Sequence, residues 1–173
     1  MRRFLLPLLL LISLPAVAQD IPVPEGNRAN LRQAPPRPGM GDLDERARAL
    51  FAAILADEPE SATAMFMPRE VFRAIKGISD PDGLYDRIVR MYANDIHALH
   101  ASIPADAEFV RFEFSGHRGW VGLREESNRL PYWAQRHSYI TYRSGGREQR
   151  FEVRTMIAWG EQWYITHLSE FRH

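Results

Sequence analysis

From residue 42 onwards, the hydrophobic pattern of this 173-residue chain changes once, near Ala105, and that change limits what the chain can fold into. Before this point apolar residues recur every three or four positions, which is the spacing of one side of a helix. After it, Val110, Phe112 and Phe114 alternate with charged residues, as in a half-buried strand. Helices followed by strands predict an α+β domain.

Helical spacing predicts three main helices. The first covers residues 43–57 and follows Asp42, which has the spacing of a capping box with Glu45. A shorter helix is predicted to begin at Pro68, because proline is well suited to the first helical position. The longest covers residues 81–102, where apolar side chains form one continuous stripe.

Alternation predicts five strands joined by short turns, which is typical of an antiparallel meander. They are expected at residues 110–114, 120–123, 133–143, 149–159 and 162–171. The sequence therefore predicts a single α+β domain over residues 42–173. In it, three N-terminal helices pack on a curved five-stranded antiparallel sheet.

This order of elements resembles the NTF2-like superfamily, whose members are related in shape to cystatins. The final hairpin, residues 151–168, carries the closest similarity and reads FEVRTMIAWGEQWYITHL. The resemblance implies a cone-shaped domain. In that superfamily the interior serves as an active site in some isomerases, hydrolases and dehydratases, and as a binding pocket or dimerisation surface in others. Because fold alone does not select among these, the site has to be argued from its residues.

The first eighteen residues have the pattern of a secretory signal peptide. Two arginines precede the apolar stretch 4–14, and the segment ends in Ala-x-Ala, which predicts cleavage between Ala18 and Gln19. The apolar stretch is too short to span about 30 Å of hydrocarbon. We therefore expect a periplasmic or secreted protein with no transmembrane anchor after cleavage.

Residues 19–41 are dense in proline and have no apolar period. Proline removes backbone donors and favours extended conformations, so this stretch is predicted to be a disordered tether. The tether could hold the domain away from a surface or a partner.

Composition excludes several classes of protein. The chain has no cysteine, which removes disulfides, thiolate nucleophiles and zinc fingers. Basic and acidic residues both number 22, and loss of Arg2 and Arg3 with the signal leaves 20 against 22. A domain of this charge is not predicted to bind nucleic acid. Lys76 is the only lysine.

Asp95 is the leading candidate for a functional carboxylate, because it falls within the apolar stripe of the longest predicted helix. A carboxylate there needs a partner. One interpretation makes it a general base with a raised pKa. The other makes it half of a structural ion pair with Arg111, Arg136 or Arg154.

Two strand histidines could join Asp95 in one pocket. Alternation allows His137 and His167 to enter the face of the sheet that carries Arg154, so the candidate catalytic residues are Asp95, His137 and His167. The alternative is that both histidines are satisfied structural groups. His97 and His100 do not converge with Asp95 on the helix, so no metal site is predicted. The sequence also predicts no cofactor.

Aromatic residues give the predicted sheet a second candidate surface. The residues assigned to ligand binding are Arg154, Trp133, Tyr139 and Trp163. On strands, aromatic side chains also serve simply as core and as cross-strand pairs, and that interpretation stays open.

The sequence predicts a non-catalytic module that binds a small ligand or another protein. Two alternatives remain: a small-molecule enzyme of the isomerase or hydrolase type with Asp95 as general base, and a structural envelope protein. The expected partner is accordingly a small molecule or an envelope protein. Formation of a homodimer through the outer face of the sheet is compatible with this fold class.

Overall fold

The three helices precede the sheet in the chain. A computed structural model describes residues 21–169, so the predicted signal peptide and the cleavage point between Ala18 and Gln19 lie outside the described residues. The helices are α1 (Leu43–Ala56), α2 (Arg69–Ile75) and α3 (Pro81–Ser102). Short 3-10 turns lie at Glu25–Asn27, Ser61–Met65 and Glu125–Ser127.

Capping signals in the sequence predict the N-terminal cap of α3 but not that of α1. Asp80 caps α3 as its sequence indicates, because its carboxylate accepts a hydrogen bond from the Gly83 amide at 2.9 Å. The capping box predicted at Asp42 is not formed, since the side chain of Asp42 makes no capping bond. The Leu43 amide instead donates to the Met40 carbonyl at 2.9 Å, and the preceding turn takes over the role of the cap.

The sheet has five antiparallel strands, β1 (Glu108–Glu113), β2 (Arg118–Val121), β3 (Tyr132–Ser144), β4 (Arg147–Trp159) and β5 (Gln162–His167). Their order is β1-β3-β4-β5, and β2 also pairs with β3. The long strand β3 is central, with β2 along its first half and β1 along its second half. The predicted α+β class, with three helices and five antiparallel strands, is confirmed.

The alternation of β3 is interrupted at His137. This residue has φ = 55°, in the left-handed region that non-glycine residues seldom adopt. Residues of opposite parity lie on opposite faces of a regular strand, yet Gln135 and Ile140 are both 0% exposed. A second irregularity lies where β4 pairs with β5, between Thr155 and Met156. Tyr132 and Ala134 are buried beside Gln135, so the first half of β3 buries positions of both parities, while its pairing with β4 keeps one register across His137.

Residues 21–41, which we call the N-terminal strap, lie against the sheet. The sequence predicts a disordered tether here, whereas in the structure this segment makes hydrogen bonds to the sheet. Asn27 is 3% exposed, and its Nδ2 donates to the carbonyls of Pro131 and Ala158 at 2.9 and 3.2 Å. Its Oδ1 accepts from the Gly160 amide at 2.9 Å. Prolines remove donors from the strap but leave its carbonyls, and donors of the sheet satisfy them.

The core lies between the helices and the sheet. Phe51 of α1 stacks on Tyr142 and Phe151, with ring centroids 5.7 and 6.5 Å apart. Arg46 of α1 crosses to β5, where its guanidinium donates to the Trp163 carbonyl at 2.8 Å and lies 5.0 Å from the Tyr164 ring. Burial of large apolar side chains, each worth about 1.5–3 kcal/mol, stabilises this arrangement.

Replacement of Asn27 tests whether the strap is fixed to the domain. We expect Asn27→Ala to lower the free energy of unfolding by about 2 kcal/mol, because it leaves buried polar groups without partners. Urea titration measures the loss, and Asn30→Ala, at an exposed strap position, is the control. Equal stability of the two variants would contradict the packed strap.

Candidate functional site

A cavity of about 80 Å³ lies between α2 and the sheet, and we call it the α2–sheet cavity. Its apolar walls are Phe72 and Ile75 of α2, with Met67, and Ala134 and Ile157 of the sheet. Polar side chains line the rest: Lys76, Glu126, Tyr132, Arg136, Thr155, Thr166 and His167. The cavity is therefore apolar in its body and polar at one side.

Glu126 organises the polar side of this cavity. Its carboxylate accepts hydrogen bonds from the Tyr132 hydroxyl and from the Arg136 guanidinium, both at 2.9 Å. The Lys76 ammonium donates to the Glu126 backbone carbonyl at 3.1 Å. The side chains of Glu126 and Arg136 are each 48% exposed, so this side of the cavity faces solvent.

Burial shifts the pKa values of three side chains around this cavity. It lowers the pKa of His167 to about 4, with a further contribution from the nearby Lys76 charge. It also lowers the pKa of Lys76, which Glu126 partly opposes. Burial, followed by the Glu126 charge, raises the pKa of the Tyr132 phenol. His167 and Tyr132 are consequently neutral at physiological pH.

The loop that carries Glu126 adopts an uncommon backbone conformation. Arg124, Glu126 and Ser127 have φ values of 70°, 48° and 59°. The loop is attached to the end of α2, since the Gly77 amide donates to the Ser127 carbonyl and the Arg129 amide donates to the Ile75 carbonyl, both at 2.8 Å. These contacts hold Glu126 over the cavity.

A second, wider cleft of about 490 Å³ lies between α3 and β4 and is called the α3–β4 cleft. Asp95 and Glu152 both line it, together with apolar side chains such as Met91 and Leu99. The Asp95 carboxylate accepts from the Ser169 hydroxyl at 2.6 Å and from the Ser169 amide at 3.1 Å. Both of its oxygens thus have hydrogen-bond donors.

The arginines proposed as partners of Asp95 contact other carboxylates. Arg111 pairs with Glu113 and Glu148 at 3.0 and 3.1 Å. Arg136 pairs with Glu126. Arg154 lies 3.3 Å from Glu152, which shares the cleft with Asp95.

His137 joins this second cleft through Glu152. Its Nδ1 lies 2.7 Å from the Glu152 carboxylate and 3.2 Å from the Arg154 guanidinium, and its ring meets that of His117 edge-on at 5.2 Å. The predicted common pocket is therefore divided. Asp95 lines the α3–β4 cleft and His137 and Arg154 contact its Glu152, whereas His167 lines the α2–sheet cavity.

The predicted aromatic binding residues are also separated. The indole N–H groups of Trp133 and Trp163 donate to strap carbonyls, those of Pro35 and Gly39, at 3.0 and 2.9 Å. Tyr139 instead lies under the Arg150 guanidinium, whose Cζ is 4.2 Å from the centroid of the Tyr139 ring. The four residues assigned to ligand binding do not form one site.

Sequence reasoning missed Glu126, Tyr132 and Glu152. Lys76 carried a signal, because it is the single lysine of an arginine-rich chain. Tyr132 precedes Trp133 at the start of a strand, where alternation gives it the opposite face. Glu126 carried no signal in the sequence, since its position depends on a loop conformation that local sequence does not encode.

Within residues 21–169 no helix combines the length and the apolar character needed to cross a bilayer. The same part of the chain holds no group of three or more His, Asp or Glu side chains placed to bind a metal ion. No protein-family model, curated protein or solved structure matches the chain. Its function must therefore be argued from these sites.

Replacement of His167 tests the burial of its ring. The folded-state pKa of about 4 lies below the unfolded value of about 6.5, so unfolding takes up a proton between these pH values. Stability is thus fully present above pH 6.5 and falls as the pH decreases towards 4, by up to about 1.4 kcal/mol per pH unit. We expect His167→Gln to reduce this acid loss.

Urea titrations at several pH values between 7 and 4 measure that difference. His100→Gln makes the same substitution at an exposed position of α3 and controls for general loss of a histidine. Equal acid loss in wild type and His167→Gln would show that the His167 ring is not held neutral.

Replacement of Asp95 separates a structural from a catalytic role. We expect Asp95→Asn to lower the free energy of unfolding by about 1 kcal/mol, because an amide offers its nitrogen to the Ser169 donors. Thermal and urea unfolding provide the measurement, with the exposed neighbour Asn94→Ala as control. Unchanged stability would contradict the structural role and favour a functional carboxylate.

Proposed function

We propose that the protein is a non-catalytic binding module, and that its ligand is a small molecule with an apolar body and an anionic group. The observation that carries this proposal is the α2–sheet cavity, in which apolar walls meet a polar side containing the chain's single lysine. Binding sites for small molecules commonly combine these two features.

Size and charge narrow the ligand class. A volume of about 80 Å³ corresponds to roughly three water molecules at about 30 Å³ each, which suits a compact ligand. The charged groups of the cavity are Lys76, Arg136 and Glu126, and His167 is neutral. Two cations against one carboxylate favour an anion at the solvent-facing side. Phe72, Ile75 and Ile157 would then contact the apolar body.

The titration behaviour of the cavity supports binding over catalysis. An efficient general acid or base has a pKa near the working pH. The pKa of His167 is about 4 and that of Tyr132 is raised above its usual value, so neither is suited to proton exchange near neutrality. Both are suited to fixed hydrogen bonds with a ligand.

The same proposal includes the finer identity of the fold and the location. We place the domain in the NTF2-like superfamily and outside the cytoplasm. Helices before an antiparallel sheet, and a cavity between the two layers, support the first. The signal-peptide pattern of residues 1–18 supports the second.

Binding of two matched probes tests the proposed ligand class. Benzoate and benzyl alcohol share an aromatic ring and differ in charge. Saturation-transfer NMR on the full chain at millimolar probe concentrations is expected to give fivefold to tenfold tighter binding of benzoate, because Lys76 stabilises the anion. This preference corresponds to about 1 kcal/mol.

Lys76→Met retains most of the apolar stem and removes the charge, so it should abolish the preference for benzoate. Arg118→Met removes an exposed cation outside the cavity and should leave it intact. Equal affinity of wild type for the two probes, or binding of neither, would overturn the proposed ligand class. Melting temperatures of both variants report whether they fold.

A further inference from the structure

The strap contains a short proline motif that lies on two tryptophans. Residues 35–38 read Pro-Pro-Arg-Pro, so prolines stand at both ends of a P-x-x-P spacing. Proline fixes φ near −65°, and a residue before proline is driven towards extended backbone. Within residues 34–38 each position is a proline, precedes one, or does both. This segment is therefore biased towards a polyproline II helix.

The sheet meets this segment with donors aimed at its carbonyls. Trp133 Nε1 donates to the Pro35 carbonyl at 3.0 Å, and Trp163 Nε1 donates to the Gly39 carbonyl at 2.9 Å. A polyproline II helix has no internal hydrogen bonds, so its carbonyls stay free for such donors. Aromatic grooves that recognise proline-rich peptides use the same physical solution.

The arginine inside the motif has its own receptor. The Arg37 guanidinium donates to Gln135 Oε1 at 3.3 Å and lies 5.4 Å from the centroid of the Phe114 ring. Gln135 is 0% exposed, and its Nε2 donates to the carbonyls of Ser115 and His117 at 3.0 and 3.2 Å. These bonds fix the amide so that its oxygen points towards the arginine.

The strap does not fill the space beneath it. A gap of about 350 Å³ lies between strap and sheet. Its lining comes from two stretches of the strap, residues 24–27 and the prolines of residues 35–38, and from Trp133 and Ala158 of the sheet. A segment held by a few hydrogen bonds over such a gap is easier to displace than a close-packed one.

We propose that this face of the sheet is a recognition groove for proline-rich peptides of the Pro-Pro-Arg-Pro type. Residues 35–39 occupy it within the same chain, and a proline-rich segment of a partner protein replaces them. The groove is separate from the α2–sheet cavity, so the inference does not depend on the proposed small ligand.

A fluorescein-labelled peptide with the sequence of residues 33–40, QAPPRPGM, tests the groove on the full chain. Wild type should bind it weakly, because the tethered segment competes at an effective concentration in the millimolar range. Pro35→Ala with Arg37→Ala weakens the internal ligand and should tighten peptide binding about tenfold. Fluorescence anisotropy measures both affinities.

Two tryptophan variants of that double mutant test the donors. Trp133→Phe keeps an aromatic ring but removes the N–H, and should abolish the tenfold gain. Trp159→Phe, a tryptophan of β4 that does not line the gap, should preserve it. A peptide with alanine in place of its three prolines should not bind. Equal binding of both peptides, or no gain in the double mutant, would overturn the proposal.

A second measurement needs no variant. Trypsin cleaves after Arg32, which lies in the strap, whereas the Arg37-Pro38 bond resists it. Excess QAPPRPGM should accelerate cleavage after Arg32 in wild type, because displacement frees the strap. An unchanged cleavage rate would count against displacement. A dimer formed by the double mutant without peptide would assign the groove to a second copy and overturn the assignment to a partner protein.

Discussion

The central strand β3 buries side chains on both faces of the sheet, and His137 lies near its middle in the left-handed conformation. Before it, Gln135 and Met156 are paired and buried, and after it Ile140 is buried with Phe112 of β1. One long strand thereby serves two layers of packing. The α3–β4 cleft, the α2–sheet cavity and the surface under the strap occupy different parts of this sheet.

Elements with local start and stop signals could be predicted from the sequence. The helix expected over residues 81–102 is α3 itself, because Asp80, Pro81 and the proline after Ile103 act within one turn of its ends. The strands were placed to within a few residues. Contacts between distant segments could not be predicted: the strap is ordered because Trp133, Trp163 and Asn27 supply bonds that no local pattern shows.

The candidate site was predicted less well, for a physical reason. Strict alternation brings His137 and Arg154 together, and the two are in contact, but the register shift between β4 and β5 at Thr155 and Met156 places His167 opposite Thr155. Glu126 enters its cavity from a loop whose non-glycine residues adopt positive φ. A sequence pattern based on regular periods contains neither feature. The sequence predicted that Asp95 has a partner and named three arginines. Its carboxylate accepts hydrogen bonds from Ser169, which the sequence did not single out.

The position of Lys76 has a practical consequence. Every other basic side chain of the chain is arginine or histidine, so the chain carries one ε-amine, and that amine lies beside the α2–sheet cavity with its pKa lowered by burial. A lowered pKa raises the fraction of uncharged, nucleophilic amine at a given pH. Among side chains, amine-directed reagents will therefore label Lys76 alone. A molecule bound in the cavity will shield it from them.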